Sequence, residues 1–442
     1  MKIKNPVFFL LYICISLHIQ SQSFDIYHES IILNDVNYNI TGLSTSSFHK
    51  TPKSVKIEND VNELLDPIIK LNSSEKLTLK FDILTSEANT YAYTFIHCNS
   101  KWEYSNIIQS DYLEGFFDHY INNYQYSFNT LAPYVHYECS FPNEDINFKK
   151  SGNYIILVYD AEKNIPIITK KFMIYEELVD ISMTVKKPTL AKDRNNKQEI
   201  DFQIQNYQNL NITDPGNELQ IIIQKNDDWN DVIMNCKPNF INNKVLDYDY
   251  QGALSFLGGN EYRDFDIKSL RYLGKNIKSI EQKRIQGSQI HYVEITEDYT
   301  CDPEHYEFKY DLNGKYVLSI SETKNKNTEG DYALVKFTLN NSEITNEDIY
   351  IYGELTNWNI LPEAKMNYNK QDNHYYGFLY LKQGYYNYQY IIPFATQKKT
   401  HPIEGEYSET RNQYSIYVYH TPVWGDYDRL VGIAKSTSNS LN

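Results

Sequence analysis

Glycine and proline are sparse, 17 and 14 of 442 residues, which excludes a collagen-like or low-complexity chain. Positive charge is also short. Lys and Arg number 42 against 57 Asp and Glu, a net charge of −15, the wrong footprint for a nucleic-acid binder. Beyond the N-terminus no apolar run is long enough to cross a bilayer as a helix, so direct membrane insertion is not expected. Enzyme signatures are missing as well: no G-x-S-x-G elbow, H-E-x-x-H pair, Walker loop or EF-hand pattern occurs. The 11 histidines are scattered. No catalytic residue, metal ligand or cofactor is therefore expected. The pairs Asp264/Asp266 and Asp426/Asp428 alternate with Phe265 and Tyr427 and read as the solvent face of a strand or loop rather than a cation site. None of the 5 cysteines lies in a C-x-x-C pair, which removes a zinc ribbon or a thioredoxin-like centre.

What is present is a core-forming, tyrosine-rich chain. Apolar residues make up 41%, and tyrosine alone supplies 41 residues. Residues 1–23 have Lys2 and Lys4 ahead of a short apolar stretch and a polar exit, as in a cleavable signal peptide. Ile13 stands before Cys14 where a lipoprotein signal carries a small residue, so the export signal is read as non-lipidated. Four cysteines then remain: Cys98, Cys139, Cys236 and Cys301. Cys98 with Cys139 is the candidate disulfide, and four buried thiols are the alternative.

Period-2 alternation recurs along the chain. Ile200, Phe202 and Ile204 face one way, and Leu246, Tyr248 and Tyr250 repeat the pattern, as do Tyr306, Phe308 and Tyr310. Tyr386, Tyr388, Tyr390 and Ile392 form a fourth set. Each predicts a strand with one buried face. The denser runs 154–159 (YIILVY) and 219–223 (LQIII) predict strands covered on both sides. Residues 270–280 have helix-like spacing, but Gly274 and Asn276 interrupt it and the segment is read as extended. The fold class is all-β, with tandem immunoglobulin-like or early-set-like β-sandwich domains. The expected divisions are 24–178, 179–330 and 331–420, with a C-terminal tail over 421–442 that is polar and frayed from 435.

One segment concentrates large apolar side chains outside any regular alternation. Residues 101–120 (KWEYSNIIQSDYLEGFFDHY) place Trp102, Tyr112, Phe116 and Phe117 among Glu103, Asp111, Glu114 and Asp118. These four aromatics are the candidate partner-binding residues. Self-packing is the commoner fate of such a segment, and the expectation is that all four pack mainly within the first domain, Phe116 as a core residue.

Two resemblances follow. Residues 349–392 resemble the early-set sandwich of glycogen-binding modules, with Gly353, Leu355 and Trp358 on a G-x-L-x-x-W turn and Gly384, Tyr388 and Tyr390 on the tyrosine-rich strand. Gln389 stands where those modules carry lysine, and no second tryptophan follows. A glycan is therefore not expected as a partner, and sugar binding through Trp358 is the alternative function. More specific are residues 97–102 (HCNSKW), 110–116 (SDYLEGF), 126–145 (YSFNTLAPYVHYECSFPNED), 151–160 (SGNYIILVYD) and 256–272 (FLGGNEYRDFDIKSLRY). Together they resemble the plug protein family of the type IX secretion system of Bacteroidota, over about residues 25–420. The resemblance implies a non-enzymatic periplasmic subunit, peripheral to the outer membrane. Its partner there is the SprA/Sov-type translocon barrel, whose periplasmic end it closes when idle.

Overall fold

The computed structural model describes residues 52–438, apart from 243, 286, 303, 345–346, 394–397, 400 and 423–424. The expected signal peptide lies outside the described residues. Strands dominate, and the helices are single turns. Among the described residues no helix is long and apolar enough to cross a membrane.

The strands form three two-sheet sandwiches, each around its own core. In the first, a four-stranded sheet in the order Lys53–Asn59, Leu77–Ile83, Val135–Phe141, Asn123–Tyr126 faces a five-stranded one. The second sheet runs Ile68–Lys70, Ile165–Tyr175, Gly152–Asp160, Tyr91–Cys98, Asp118–Tyr120. The interior is aromatic: Phe95, Phe141, Phe148, Tyr154 and Phe172 pack edge-on or stacked, arrangements that suit the quadrupoles of the rings.

The second sandwich is discontinuous. One of its sheets has the order Asp228–Met234, Leu219–Lys225, Gln413–His420, Arg429–Thr437, so the end of the chain completes a sheet begun near residue 219. Its core joins Ile200, Phe202, Ile204 and Ile221 to Tyr414, Ile416, Val418 and Val431. The third sandwich, about residues 259–407, is inserted between these halves around Phe265, Phe337, Ile351 and Tyr388. Entry and exit of the insertion touch. The Tyr407 N–H donates to the Gly259 carbonyl, and a Cβ on Gly258 would lie 1.9 Å from the Tyr407 carbonyl oxygen. Only glycine permits that approach.

The expected divisions are thus corrected in three places. The third sandwich starts near 259 rather than 331. Its expected last strand, Gln413–His420, pairs with Leu219–Lys225. The expected tail contains the strand Arg429–Thr437 and a buried Ser438. Alternation identifies strands but not their partners, and the polar 435–438 stretch is held by pairing and by the Ser438–Asn412 hydrogen bonds.

Local expectations divide similarly. Ile200, Phe202 and Ile204 are buried as predicted. Of the runs 154–159 and 219–223, Tyr154, Ile155 and Ile156 and likewise Ile221, Ile222 and Ile223 are buried on both faces, while Leu157, Tyr159 and Gln220 are half-buried. Tyr154 and Ile156 enter the first core and Ile221 and Ile223 the second, while Ile155 and Ile222 meet between the two sandwiches with Trp102, Met173, Tyr417 and Tyr419. Residues 304–311 form no strand, and Phe308 and Tyr310 are exposed. The outer face of Gly384–Pro393 is buried too, because the Leu312 N–H is held by Asn387. The predicted solvent face at Asp264 and Asp428 is likewise buried: Lys275 pairs with Asp264, and the Ser100 N–H and Thr421 hydroxyl donate to Asp428.

Polar joints lock the three bodies. Between first and third, Asp82 accepts from Lys382 at 2.6 Å, Tyr332 at 2.7 Å and His136 at 2.6 Å. Burial opposes ionisation of Asp82, but Lys382 and His136 outweigh it and hold the carboxyl below its ordinary value. At the meeting of all three, Asp66 of the first and Asp227 of the second surround Lys315 of the third, and Lys435 closes on Asp66. Burial and the neighbouring Asp66 carboxylate push Asp227 up to about 7.

Candidate partner-binding surface

The aromatic segment is divided by the structure. Trp102 takes a left-handed turn (φ 66°) and is buried against the second sandwich, its ring edge-on to Trp229 at 5.0 Å with the Lys171 ammonium 4.8 Å over it. Tyr112 is buried, and its hydroxyl donates to the Phe95 carbonyl. Phe116, by contrast, is 68% exposed and Phe117 37%. The four candidate residues therefore do not form one site. Trp102 and Tyr112 are structural, and Phe116 and Phe117 are on the surface.

Gly115 makes the division. It has φ 97°, and a Cβ there would sit 1.9 Å from the Asp145 carbonyl oxygen. The Phe116 N–H donates to that same carbonyl. The chain leaves the short Leu113–Gly115/Ile146–Phe148 pair at a sharp angle and carries the two phenylalanines outward.

The exposed aromatic surface then continues beyond the predicted segment. Tyr120, Tyr124, Tyr126 and Phe128 are all exposed. Asp118–Tyr120 is the edge strand of one sheet and Asn123–Tyr126 the edge strand of the other, joined by residues 121–122. One side of the first sandwich is thus an open double edge bearing six large aromatic side chains. Exposed Asp118 is on the edge strand itself, and exposed Glu114 and Asp145 flank the Phe116 turn. Clusters of this kind, aromatic with a polar rim, mark interaction surfaces rather than ordinary solvent-facing strands. The missed signal was in the sequence: 123–126 (NYQY) has tyrosines at period 2 without the aliphatic partners of a core strand.

The sugar-site residues are otherwise employed. Asn357 and Trp358 both take left-handed φ, 53° and 58°. The Trp358 ring lies against Gly314 and edge-on to Tyr262 and Tyr352. The Trp358 carbonyl accepts from Asn230 and from the Tyr352 hydroxyl, which also reaches Asp228. On the other side Lys170 of the first sandwich donates to Asn357, and Lys56 lies 3.6 Å from Glu354. The turn that resembles a sugar-binding motif is a joint between all three sandwiches. Gln389, at the expected lysine position, is buried.

Cys98 and Cys139 are free, as are Cys236 and Cys301, which corrects the candidate disulfide. Strand parity separates them. Tyr91, Tyr93 and Phe95 point into the first core, so Cys98, one step out of phase, points outward to the joint with the second sandwich, whereas Cys139 packs on the core itself. Burial raises both thiols, Cys98 to about 12, so neither is a reactive centre.

Among the described residues one carboxylate trio is close enough to hold a metal, Glu199, Asp201 and Asp249. Lys186 stands in it, hydrogen-bonded to Asp201 and 3.5 Å from Glu199. The Lys186 ammonium lies within 3.8 Å of all three carboxylates and takes the place a cation would need.

One family model matches the chain. The sequence model of the type 9 secretion system plug protein first domain matches residues 52–176, the span of the first sandwich. A crystal structure of a hypothetical protein from Parabacteroides merdae is 33% identical, with a TM-score of 0.83 over 88% of this chain and 98% of that one. The C-terminal domain of the Streptococcus pyogenes antigen I/II-family protein AspA aligns over 87% of this chain and 98% of its own at 8% identity and a TM-score of 0.16, too low to bear on fold or function. No curated protein matches the chain. Residues 52–176 thus carry the first domain of the type 9 secretion system plug protein family, and the chain as a whole shares its fold with the Parabacteroides merdae protein.

Proposed function

We propose that this protein is a non-catalytic periplasmic subunit that binds the outer-membrane translocon barrel of the type IX secretion system and closes its periplasmic end when the channel is idle. The observation that carries the reading is the family match over 52–176. The matched domain is also the one that presents the open aromatic edge. The physical build is consistent with a stopper. A wide barrel encloses a water-filled lumen rather than a packed core. A seal for it must resist deformation, and here three sandwiches are fastened by buried ion pairs such as Lys382–Asp82 and Lys315–Asp66. A rigid body also docks without a large ordering cost.

The test is genetic. Deleting the protein should open the envelope to large antibiotics such as vancomycin while export continues. Deleting the barrel as well should restore the seal. A single deletion no leakier than wild type, with assembled translocons, refutes the reading. Complete loss of export would recast the protein as an assembly subunit.

A further inference from the structure

We propose that the free edge of Asn123–Tyr126 is where the partner docks, by adding an extended strand to the first sandwich. The added strand has aliphatic side chains at alternate positions and is flanked by Lys or Arg. The proposal rests on the plug reading and names the surface and the chemistry of the contact.

The backbone sets the first requirement. The edge strand pairs with Val135–Phe141 in continuous antiparallel register, Asn123 opposite Glu138 through Tyr126 opposite Val135. The Ser127 N–H donates to the Tyr134 carbonyl. Hydrogen-bonded and non-bonded pairs alternate in such a ladder, so Asn123 and Gln125 turn their backbone groups inward and Tyr124 and Tyr126 turn theirs out. Outward N–H and C=O groups in that spacing are matched by an extended chain.

Edge strands are normally guarded by lysine, proline or a bulge. This one has none of them: its residues are Asn, Tyr, Gln and Tyr, all exposed, and its register has no shift. The rings of Tyr124 and Tyr126 meet edge-on at 6.1 Å, with buried Tyr137 beneath Tyr124. Alternate side chains of an added strand land on these rings, which selects aliphatic residues over charged ones. Charge selects the flanks. Exposed Asp118 is on the neighbouring edge strand, Glu138 is opposite Asn123, and exposed Glu114 and Asp145 flank the Phe116 turn, so a basic-flanked strand is attracted. A second copy, carrying the same carboxylates and a net charge of −15, is repelled.

The experiment uses the mature full-length chain and the purified translocon barrel. Tyr126→Pro deletes an outward N–H without breaking the ladder to Val135–Phe141, and Tyr126→Lys keeps the N–H but installs the missing guard. Both should bind the barrel at least about tenfold more weakly than wild type with unchanged thermal midpoints, while Tyr272→Phe, at an exposed position of the third sandwich, binds normally. On complex formation, hydrogen exchange over residues 123–127 should slow at the Tyr124 and Tyr126 amides. If wild type binds and both Tyr126 variants bind within about threefold of it, the docking strand is wrong and the plug reading stands. If wild type does not bind the barrel, both fall. Protection of these two amides in the free chain, or sedimentation of wild type as a dimer that the variants dissolve, assigns the edge to the chain itself or to a second copy and overturns the proposal.

Discussion

Lys382→Met tests the joint between the first and third sandwiches directly. Lys382 and Asp82 are both essentially inaccessible and 2.6 Å apart. Removing one member of such a pair strands the other charge in a low-dielectric site, at a cost of roughly 3–5 kcal/mol. Asp82 keeps two partners, His136 and Tyr332, so the lower end, about 3 kcal/mol, is expected. The pH dependence carries a sign. In wild type the Asp82 carboxyl is held below its ordinary value, so its stabilisation is present above about pH 4 and is lost as pH falls through the lowered value. Without Lys382 the burial of Asp82 is no longer outweighed. Its carboxyl then rises, and the native state is penalised increasingly as pH climbs above about 4. Burial opposes the charge of His136, but its bonds to Asp82 and Glu138 outweigh it and raise the imidazole above its ordinary value. The deficit of Lys382→Met should therefore be larger near about pH 7.5 than near about pH 4.5. Urea unfolding followed by tryptophan fluorescence reads it, since Trp102 reports the joint of the first and second sandwiches and Trp358 the joint of all three. The double variant Asp82→Asn/Lys382→Met should recover part of the loss. A deficit under about 1 kcal/mol at both pH values would show that the pair is not the fastening argued here.

The three-way junction gives a separate signature. Because Asp227 is raised to about 7, wild type should lose stability as pH rises from about 4 to 7, and Asp227→Asn should flatten that slope in thermal midpoints; an unchanged slope contradicts the assignment. Phe116→Ala should change stability by no more than about 0.5 kcal/mol, whereas Trp102→Ala should cost roughly 3–5 kcal/mol, both by chemical denaturation. Trp358→Ala should destabilise the chain, and maltoheptaose titration of wild type should release no heat; micromolar binding lost in the variant would restore the sugar reading. Reductant should leave the unfolding midpoint unchanged, since Cys98 and Cys139 are unlinked.

The strands of the second core were legible because Ile200, Phe202 and Ile204 bury one face while Asp201 and Gln203 stay partly solvated. Strand partners were not legible. Nothing local to Gln413–His420 says that its neighbour lies near residue 220. The site was half legible. All four candidate aromatics share one loop, and composition is blind to the Gly115 turn that sends Phe116 and Phe117 outward while Trp102 and Tyr112 remain inside. Tyr124 and Tyr126 escaped notice because tyrosine at period 2 reads as core, a reading that holds for Tyr388 and Tyr390. The difference lies in sheet position, central against edge. The disulfide expectation failed on a point the sequence did contain, the phase of Cys98 relative to Tyr93 and Phe95.

The insertion of the third sandwich orders assembly in time. Asn226 and Gln413 are hydrogen-bonded across 187 positions of sequence, a span that an open chain closes slowly. Once the third sandwich has formed, Gly259 and Tyr407 are already in contact, and the same closure becomes a search over roughly 40 positions instead of 187. The first and third bodies can therefore mature while the second waits with one sheet half built. Its exposed strand Leu219–Lys225 is the surface most in need of protection during that interval. A core lesion in the third body, such as Phe337→Ala, should be felt as slow completion of the second.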